Sequence, residues 1–267
     1  MEKRVNSLIK SKKRVKDHGE VFTPKFIVNK MINLEGIKDS IKNLNMTVLE
    51  PSVGEGIFLT TLLQYRLDYI KSIVKDDVSY YENLSLLALT TLYGIEILAD
   101  NTEKTVLNLF QTYYENYLEI LSKYRCKKNK DVLESAKTII SANIVQGDFL
   151  KGIDSEGKVI IFSEWRVKTK KNNKNIKVSR TEHTINQIRH KIENNDGNTE
   201  IANRKNSFEF SDKYYEVDAQ ELNFLDMIDE EENIEEQFEE KTFIQIYKTV
   251  KITRVFREEI LVIGNER

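Results

Sequence analysis

The feature that most constrains this chain is a short apolar segment that ends in an acid and runs directly into a glycine-containing turn. Residues 47–50 (TVLE) are typical of a buried strand, and residues 51–56 (PSVGEG) follow without a linker. Residues 57–67 then place apolar side chains at helical spacing. A strand, a glycine turn and a helix in this order form the unit with which a parallel α/β sheet binds a nucleotide-like ligand at its carboxyl edge.

The alternation of strands and helices continues along the chain to residue 148. Apolar periodicity and capping residues predict a helix over 84–92, a strand over 93–97, a long helix that begins near Asp100 or Asn101, a helix over 131–141 and a strand over 143–146. Strands that alternate with helices imply a mostly parallel, doubly wound sheet. The expected fold class is therefore α/β, with a partial doubly wound parallel sheet, helices before it and an inserted lobe after it.

The glycine turn narrows the class of ligand. Gly54 and Gly56 allow the backbone to approach a ligand closely, because neither carries a Cβ. The pattern is not the complete G-x-G-x-x-G of dinucleotide sites, since residue 59 is leucine, and the Gly-Lys-Ser/Thr of a triphosphate loop is absent. Dinucleotides and nucleoside triphosphates are therefore disfavoured.

Three acids stand at successive strand ends: Glu50, Glu96 and Asp148. A carboxylate at Glu96 can accept both hydroxyls of a ribose, and Asp148 can accept from the exocyclic amine of an adenine while Phe149 packs on the ring. Each also has a simpler interpretation, Glu96 as a solvent-facing strand end and Asp148 as an ordinary turn residue. Because the carboxyl ends of parallel strands meet at one edge, the three acids together indicate a single crevice.

Composition excludes several other classes of protein. The chain has 267 residues, 41 Lys+Arg against 43 Asp+Glu and a formal net charge of -2, so a disordered polyelectrolyte or a uniformly basic nucleic-acid coat does not fit. The single cysteine, Cys126, excludes an intramolecular disulfide and a cysteine-based zinc site, and no metal is expected. The sequence has no bilayer-spanning apolar stretch and no secretory signal, which predicts a cytoplasmic protein with no membrane partner.

The only two prolines of the chain stand at element boundaries. Thr23-Pro24 is typical of a helix start, because threonine can cap exposed N–H groups and proline at the first helical position has no N–H to leave unpaired. Glu50-Pro51 opens the glycine turn. The seven Lys and Arg within residues 1–17 favour a solvated leading helix over a phosphate-contacting arm.

Together these segments resemble a known family. Residues 18–24 (HGEVFTP), followed by residues 49–56 (LEPSVGEG), are similar in order and chemistry to the first two motifs of bacterial adenine-specific N6 DNA methyltransferases of restriction-modification systems. The resemblance covers residues 17–150 and implies a Rossmann-like, S-adenosylmethionine-dependent methyltransferase. The expected cofactor is S-adenosylmethionine, and the expected partner is DNA, bound through the complete enzyme.

The resemblance also implies roles for individual residues. Thr23 and Pro24 are expected at the methionine end of the cofactor, and Glu96 at its ribose. Asp148 and Phe149 are expected at its adenine. The turn beneath the cofactor is expected to consist of Glu50, Pro51, Ser52, Gly54 and Gly56.

One element of the family is missing from this sequence. The catalytic motif is an Asn or Asp followed by two prolines and an aromatic residue, and no Pro-Pro occurs here. Residues 260–265 (ILVIGN) resemble the strand that leads into that motif, and Arg267 ends the chain where the prolines are expected to begin. No catalytic residue is therefore assigned. The resemblance implies a truncated or split enzyme, inactive alone, with a downstream-encoded subunit as a partner for the catalytic and target-recognition parts.

The second half of the chain supports coarser predictions. Residues 166–177 are basic and residues 226–240 are acidic, and both are typical of solvated faces, with phosphate contact as the alternative for the basic stretch. The chain is expected to divide into an N-terminal helical segment (1–46), an S-adenosylmethionine-binding α/β core (47–150), a charged insertion or lobe (151–240) and returning strands of the sheet (241–267).

A hydrolase has little support in the sequence. The only histidines are His18, His183 and His190, and no Ser or Cys lies in a nucleophile turn. His183 and His190 are expected on the surface of a helix over 180–193. Two hypotheses therefore remain: the cofactor-binding part of an adenine N6 DNA methyltransferase, or a non-catalytic S-adenosylmethionine- or DNA-binding subunit or remnant of such a system.

Overall fold

The central sheet of the computed structural model, which describes residues 10–171, 175–189 and 243–264, contains four strands. They are β1 (Val48–Glu50), β2 (Leu92–Glu96), β3 (Ile144–Asp148) and β4 (Ile153–Asp154). Their order in the sheet is β1-β2-β3-β4. The first three strands run parallel, and β4 runs antiparallel to β3. The fold class is therefore α/β with a mixed sheet.

Three short helices precede β1. They are α1 (Lys12–His18), α2 (Lys25–Ile32) and α3 (Ile37–Ile41). The Ser11 side chain accepts a hydrogen bond from the Arg14 N–H and caps α1, and Gly19 ends this helix in the left-handed conformation. Helix α2 begins one residue later than the sequence predicts: Pro24 occupies the cap position with extended backbone, and no side chain caps the helix. The prediction that Thr23 caps this helix is therefore wrong.

Four longer helices form the connections between the parallel strands. Helices α4 (Ile57–Ile73) and α5 (Val78–Leu89) join β1 to β2, and α6 (Ala99–Tyr124) and α7 (Lys130–Asn143) join β2 to β3. Successive right-handed crossovers in one direction place their helices on one face of the sheet, and these helices do pack against one another. Among the described residues, no helix combines the length and the apolar composition needed to cross a bilayer.

Arg66 binds residues that lie just before two neighbouring strands, β1 and β2. This side chain is fully buried in α4 and donates to the Met46 carbonyl at 2.7 Å and to the Thr91 hydroxyl at 2.5 Å. Met46 lies just before β1, and Thr91 lies just before β2. Burial without a carboxylate partner among these contacts lowers the pKa of Arg66 to about 10. The guanidinium thus donates to acceptors in the segments that precede two strands.

The opposite face of the sheet is covered by a long β-hairpin. Its strands are β5 (Ile161–Lys171) and β6 (Asn175–Thr184), and the short helix α8 (Ile185–Arg189) follows. The start of the hairpin supplies Phe162 to an apolar cluster with Ile95 of β2, Val145 of β3 and Ile185 of α8. Farther along, Trp165, Ile176 and Val178 join the main core beneath the helices. The described part of the expected insertion therefore packs directly on the α/β core.

The last described segment binds to this hairpin. Strands β7 (Phe243–Tyr247) and β9 (Ile260–Gly264) form a separate antiparallel pair, while β8 (Val250–Lys251) pairs with β6 and the 3-10 helix Ile252–Arg257 follows. Arg180 holds the arrangement together. Its guanidinium lies 4.4 Å from the Tyr247 ring centroid and 5.1 Å from that of Trp165, and it pairs with Glu258 at 2.5 Å.

Two predictions about the second half of the chain are wrong. The central sheet does not resume at residues 241–267, because β9 pairs with β7 and the described strand order ends at β1. His183 does not lie on a helix but on β6, where its Nε2 lies 2.7 Å from a Glu164 carboxylate oxygen. Burial alternates with period two along β6, and in the sequence the apolar residues Ile176 and Val178 at alternate positions were the signal for a strand. His190 and the acidic stretch 226–240 lie outside the described residues.

Candidate functional site

The glycine turn after β1 has the backbone conformation that requires glycine. Gly54 has φ 57° and Gly56 has φ 83°, in the left-handed region that other residues avoid. Within the turn, the Val53 N–H donates to the Ile95 carbonyl of β2 at 3.0 Å, and the Gly56 N–H donates to the Val53 carbonyl at 2.9 Å. The turn is therefore folded back over the end of β2 before α4 begins.

Glu96 determines the position of this turn. Its side chain is only 5% exposed, and its two carboxylate oxygens accept from the Gly54 N–H at 2.8 Å and the Leu98 N–H at 3.1 Å. The interpretation of Glu96 as a solvent-facing strand end is therefore wrong. Each carboxylate oxygen has a second lone pair, so the same side chain can still accept from two ligand hydroxyls. Its role at a ribose remains a prediction.

Two polar residues of α6 that the sequence analysis missed support the turn from below. The Thr105 hydroxyl donates to the Gly54 carbonyl at 2.7 Å, and the Asn108 amide donates to the Glu55 carbonyl at 2.8 Å. They stand three residues apart and therefore share one side of the helix. In the sequence, the only sign of this role was a pair of polar residues, Thr105 and Asn108, at helical spacing. The packing of α6 on α4 shows that the two side chains bind the carbonyls of the glycine turn.

Glu50 lies at the end of β1, next to the same turn. Its carboxylate accepts a weak hydrogen bond of 3.4 Å from the Ser52 N–H. Burial raises the pKa of Glu50, and this hydrogen bond offsets the effect only in part. A half-buried carboxylate with a single long backbone bond has acceptor capacity left for a ligand. Pro51 and Ser52 are both exposed beside it.

Asp148 ends β3 at the same edge of the sheet. Its carboxylate accepts from the Lys151 N–H at 3.1 Å and pairs with the Lys151 ammonium at 3.3 Å, and the backbone hydrogen bond is the main reason that its pKa is lowered. This geometry also fits the simpler interpretation of Asp148 as a turn residue. Phe149 is half-buried against the hairpin-side cluster. The adenine role of both residues remains a prediction.

Exposed apolar side chains follow the ends of β2 and β3. Ile97 is 50% exposed and Leu150 is 85% exposed, although both adjoin buried strands. The Gln146 amide donates to the Ile97 carbonyl at 3.5 Å and links the two strand ends. The sequence analysis assigned no role to Ile97 or Leu150. They lie next to Glu96 and Phe149, respectively, so they add apolar surface to the edge of the sheet that carries the three acids.

The N-terminal segment contacts the glycine turn at this edge of the sheet through the ring of Phe22. A Cβ added at Gly54 would lie 3.6 Å from two carbons of the Phe22 ring, so the ring packs directly beside the turn. Thr23 and Pro24 follow Phe22, with Thr23 exposed and Pro24 half-buried. Residues 22–24 and the glycine turn, far apart in sequence, thus lie close together.

An ion-pair network, which we call the N-terminal clamp, holds this segment in place. Arg14 forms a two-point pair with Glu20, with both distances 2.7 Å, and a second pair with Asp100 at 2.9 Å. Lys10 pairs with Asp100 at 2.9 Å and with Glu55 of the glycine turn at 3.1 Å. Such bidentate, charge-assisted contacts are stronger than single exposed pairs.

The clamp alters the titration of its acids. Partial burial opposes ionisation of Asp100, but hydrogen bonds from Arg14 and Lys10 outweigh it and lower its pKa to about 2. The Arg14 hydrogen bond is the largest cause that lowers the pKa of Glu20. Because both pKa values are depressed in the folded state, the clamp contributes stability at neutral pH and loses it only in acid.

No protein-family model, no curated protein and no solved structure matches the chain. Within the described residues, no group of three or more His, Cys, Asp or Glu side chains is arranged to hold a metal ion. The candidate site therefore consists of a glycine turn, three acids at adjacent strand ends, and an aromatic residue beside the turn.

The two glycines of the turn should respond differently to alanine. At Gly56 an added Cβ would lie 3.0 Å from the Thr105 Cγ2 and 3.3 Å from its Cα, in addition to the cost of a positive φ. At Gly54 only the cost of positive φ applies. We expect Gly56→Ala to lower the free energy of unfolding by about 2–3 kcal/mol and Gly54→Ala by about 1 kcal/mol in urea titrations. Equal losses would show that contact with α6 does not fix the turn.

Breaking the clamp should release α1. We expect Arg14→Gln to accelerate hydrogen exchange of the Val15 and Gly19 amides about fivefold, because about 1 kcal/mol of partly buried ion pairing is lost. Lys13→Gln is the matched control, since Lys13 is exposed on the same helix and forms no ion pair within the described residues. Raising the salt concentration should bring the unmodified chain towards the Arg14 variant. The same exchange rates in both variants would contradict the clamp.

Proposed function

We propose that this chain is the S-adenosylmethionine-binding portion of an adenine-specific N6 DNA methyltransferase. The observation that carries the proposal is the convergence of the glycine turn, Glu50, Glu96 and Asp148 at the carboxyl edge of three adjacent parallel strands. A crevice at the carboxyl ends of parallel strands is where open α/β sheets bind nucleoside ligands. The packing of Phe22 beside Gly54 supports it, because this contact brings the Thr23-Pro24 motif to the same crevice.

The donors and acceptors of the crevice fit the parts of this cofactor. Glu96 offers unused lone pairs towards ribose hydroxyls, and Asp148 offers a carboxylate towards an exocyclic amine. Ile97 and Leu150 offer apolar surface to a purine ring. The Phe22 ring lies at ordinary contact distance on the Cβ side of Gly54 and lines the turn there. When bound, S-adenosylmethionine supplies an electrophilic methyl group for transfer.

Thr23 and Pro24 are proposed at the methionine end of the cofactor. The clamp holds these residues in place indirectly, because Lys10, Arg14 and Glu20 tie the segment before Thr23 to the glycine turn and to α6. In this proposal the protein contributes alignment and exclusion of water, while the glycine turn, Pro51 and Ser52 shape the floor of the crevice. Alignment of the methyl donor with an acceptor nitrogen is the main requirement of methyl transfer.

A second candidate function is a non-catalytic subunit of the same system. The specific observation that favours it is the pairing of β9 with β7, which leaves Ile260–Gly264 away from the crevice. The sequence also contains no Pro-Pro. In this form of the proposal, a downstream-encoded subunit supplies the catalytic and target-recognition parts, and DNA binds to the complete assembly.

Cofactor binding is tested by isothermal titration calorimetry with S-adenosylmethionine and its demethylated product. We expect binding by the unmodified chain, and about tenfold weaker binding by Asp148→Asn, because a charge-assisted acceptor becomes a neutral one. Asp154→Asn is the matched control: Asp154 also accepts backbone N–H groups of the turn that leads from β4, but it is the last residue of the antiparallel strand. No heat of binding with either ligand would refute the proposed function. Equal affinity of both variants would remove Asp148 from the site.

Methyl transfer is tested separately with mixed-sequence DNA and a cofactor labelled in its methyl group. We expect no labelling by this chain alone, because the target adenine must leave the base stack and be held by acceptors and an aromatic face. The Asn-Pro-Pro-aromatic motif that supplies these groups in the family is absent from the sequence. Addition of a downstream-encoded subunit is expected to restore labelling. Sequence-specific labelling by the isolated chain would place the catalytic group elsewhere in it.

A further inference from the structure

The β5–β6 hairpin extends beyond the amino end of the central sheet. Phe162, near the start of β5, packs against Ile95 in the carboxyl half of β2. Three residues later, the Trp165 indole N–H donates to the Asn143 side chain at 3.0 Å, and Asn143 immediately precedes β3. Because β2 and β3 are parallel, β5 runs from their carboxyl ends towards their amino ends. Residues 166–178 continue in this direction, away from the edge that carries the crevice.

Lysines occupy the outward face of this extension. Both neighbours of Lys177 in β6 are buried in the main core, so Lys177 points to the opposite side of the hairpin and is exposed. It lies directly opposite Lys251 of β8, which is also exposed, and facing residues of an antiparallel pair share one side of the sheet. A β-bulge in β5 adds the exposed Lys168 next to Lys177. Three exposed lysines therefore stand on three adjacent strands.

Two more cations extend this row onto the neighbouring helices. Arg254 stands three residues after Lys251, in the 3-10 helix, which packs on α7. Its Nε lies 3.8 Å from the carboxylate of Asp131 in the first turn of α7, and the exposed Lys130 begins that helix beside Asp131. Within the described residues, this contact is the one ion pair that the five cations form. We call them the distal basic surface: Lys130, Lys168, Lys177, Lys251 and Arg254.

The distal basic surface opposes folding of the isolated chain. Like charges directly opposite each other destabilise an antiparallel pair, as at Lys177 and Lys251. A cation in the first turn of a helix is disfavoured by the helix dipole, as at Lys130. The pair of Arg254 and Asp131 compensates little, because its side chains are 51% and 38% exposed. A bound polyanion would remove the repulsion, so the arrangement fits a ligand rather than the stability of the fold.

The side chains of this surface select among polyanions. Lysine ammonium groups bind phosphate oxygens as point charges, whereas recognition of base edges uses bidentate side chains such as Arg, Asn and Gln. Proteins that bind single strands also need aromatic rings on which bases stack. Among the described side chains, Phe26 on α2 is the one exposed aromatic residue. A surface rich in lysine and without an exposed ring fits the backbone of a duplex.

We infer that the distal basic surface binds the phosphate backbone of double-stranded DNA, without reading its sequence, at a site separate from the crevice. Because the surface lies beyond the amino end of the sheet, DNA bound there does not compete with a ligand at the carboxyl edge. A duplex held in this way raises the effective concentration of DNA around the chain and any subunit attached to it. The inference rests on the proposed function only in the choice of DNA over double-stranded RNA.

The test is fluorescence anisotropy of a short labelled DNA duplex of mixed sequence, titrated with the chain at several salt concentrations. We expect the double variant Lys177→Gln/Lys251→Gln to bind about tenfold more weakly at low salt, with the slope of log affinity against log salt reduced by about 2. The same variant should be at least as stable as the unmodified chain in urea titrations, because it removes two facing like charges. Loss of DNA binding without loss of stability separates a ligand site from a structural role.

The matched control is Lys12→Gln/Lys16→Gln, which changes the net charge equally. Both lysines are exposed on α1, and the clamp ties this helix to the glycine turn. We expect this variant to bind the duplex within about twofold of the unmodified chain. An equal loss of affinity in the two double variants would overturn the inference, because net charge or the crevice side of the molecule would then hold the DNA.

Three other results would overturn the inference: no binding of the duplex at low salt, unchanged affinity and salt slope in Lys177→Gln/Lys251→Gln, or tighter binding of a single strand or of phosphatidylserine vesicles than of the duplex. Calorimetry with S-adenosylmethionine is independent of these measurements, and the same double variant should bind the cofactor as the unmodified chain does. DNA binding without cofactor binding would refute the proposed function and leave the distal basic surface in place. Cofactor binding without DNA binding would do the reverse.

Discussion

The hydrogen bond from the Gly54 N–H to the buried Glu96 carboxylate is the contact on which the crevice depends. It joins the turn after β1 to the end of β2 and places two backbone loops around one acid. Leaving this carboxylate buried without its N–H donors would be costly, so the turn and the strand end stabilise each other. Thr105 then holds the Gly54 carbonyl from α6, which fixes the turn from the other side.

Electrostatic contacts extend this arrangement to the start of the chain. Lys10 and Arg14 bridge the glycine turn, the first turn of α6 and Glu20, so that Phe22 packs beside Gly54. Asp100 also lies near a helix N-terminus, where a carboxylate is favoured by the helix dipole. The clamp is partly exposed to solvent, and for this reason it is the part of the crevice most sensitive to salt.

The sheet shows a contrast between its two edges. At one edge β4 turns back antiparallel on β3, and the β5–β6 hairpin covers the face next to it. At the other edge, β2 is the one strand among the described residues that pairs with β1. The glycine turn at the end of β1 is thus supported by β2 on one side.

Local pattern in the sequence determined the strand-turn-helix unit at residues 47–67, the alternation that follows it, and the acids at the strand ends, because each depends on short-range periodicity and on backbone conformations restricted to glycine. Only the tertiary structure decided that Glu96 is buried, that Thr105 and Asn108 support the turn, and that β9 pairs with β7 instead of extending the central sheet. These outcomes depend on contacts between residues distant in sequence. An apolar run such as residues 260–263 specifies a strand, but it does not specify which edge that strand will join.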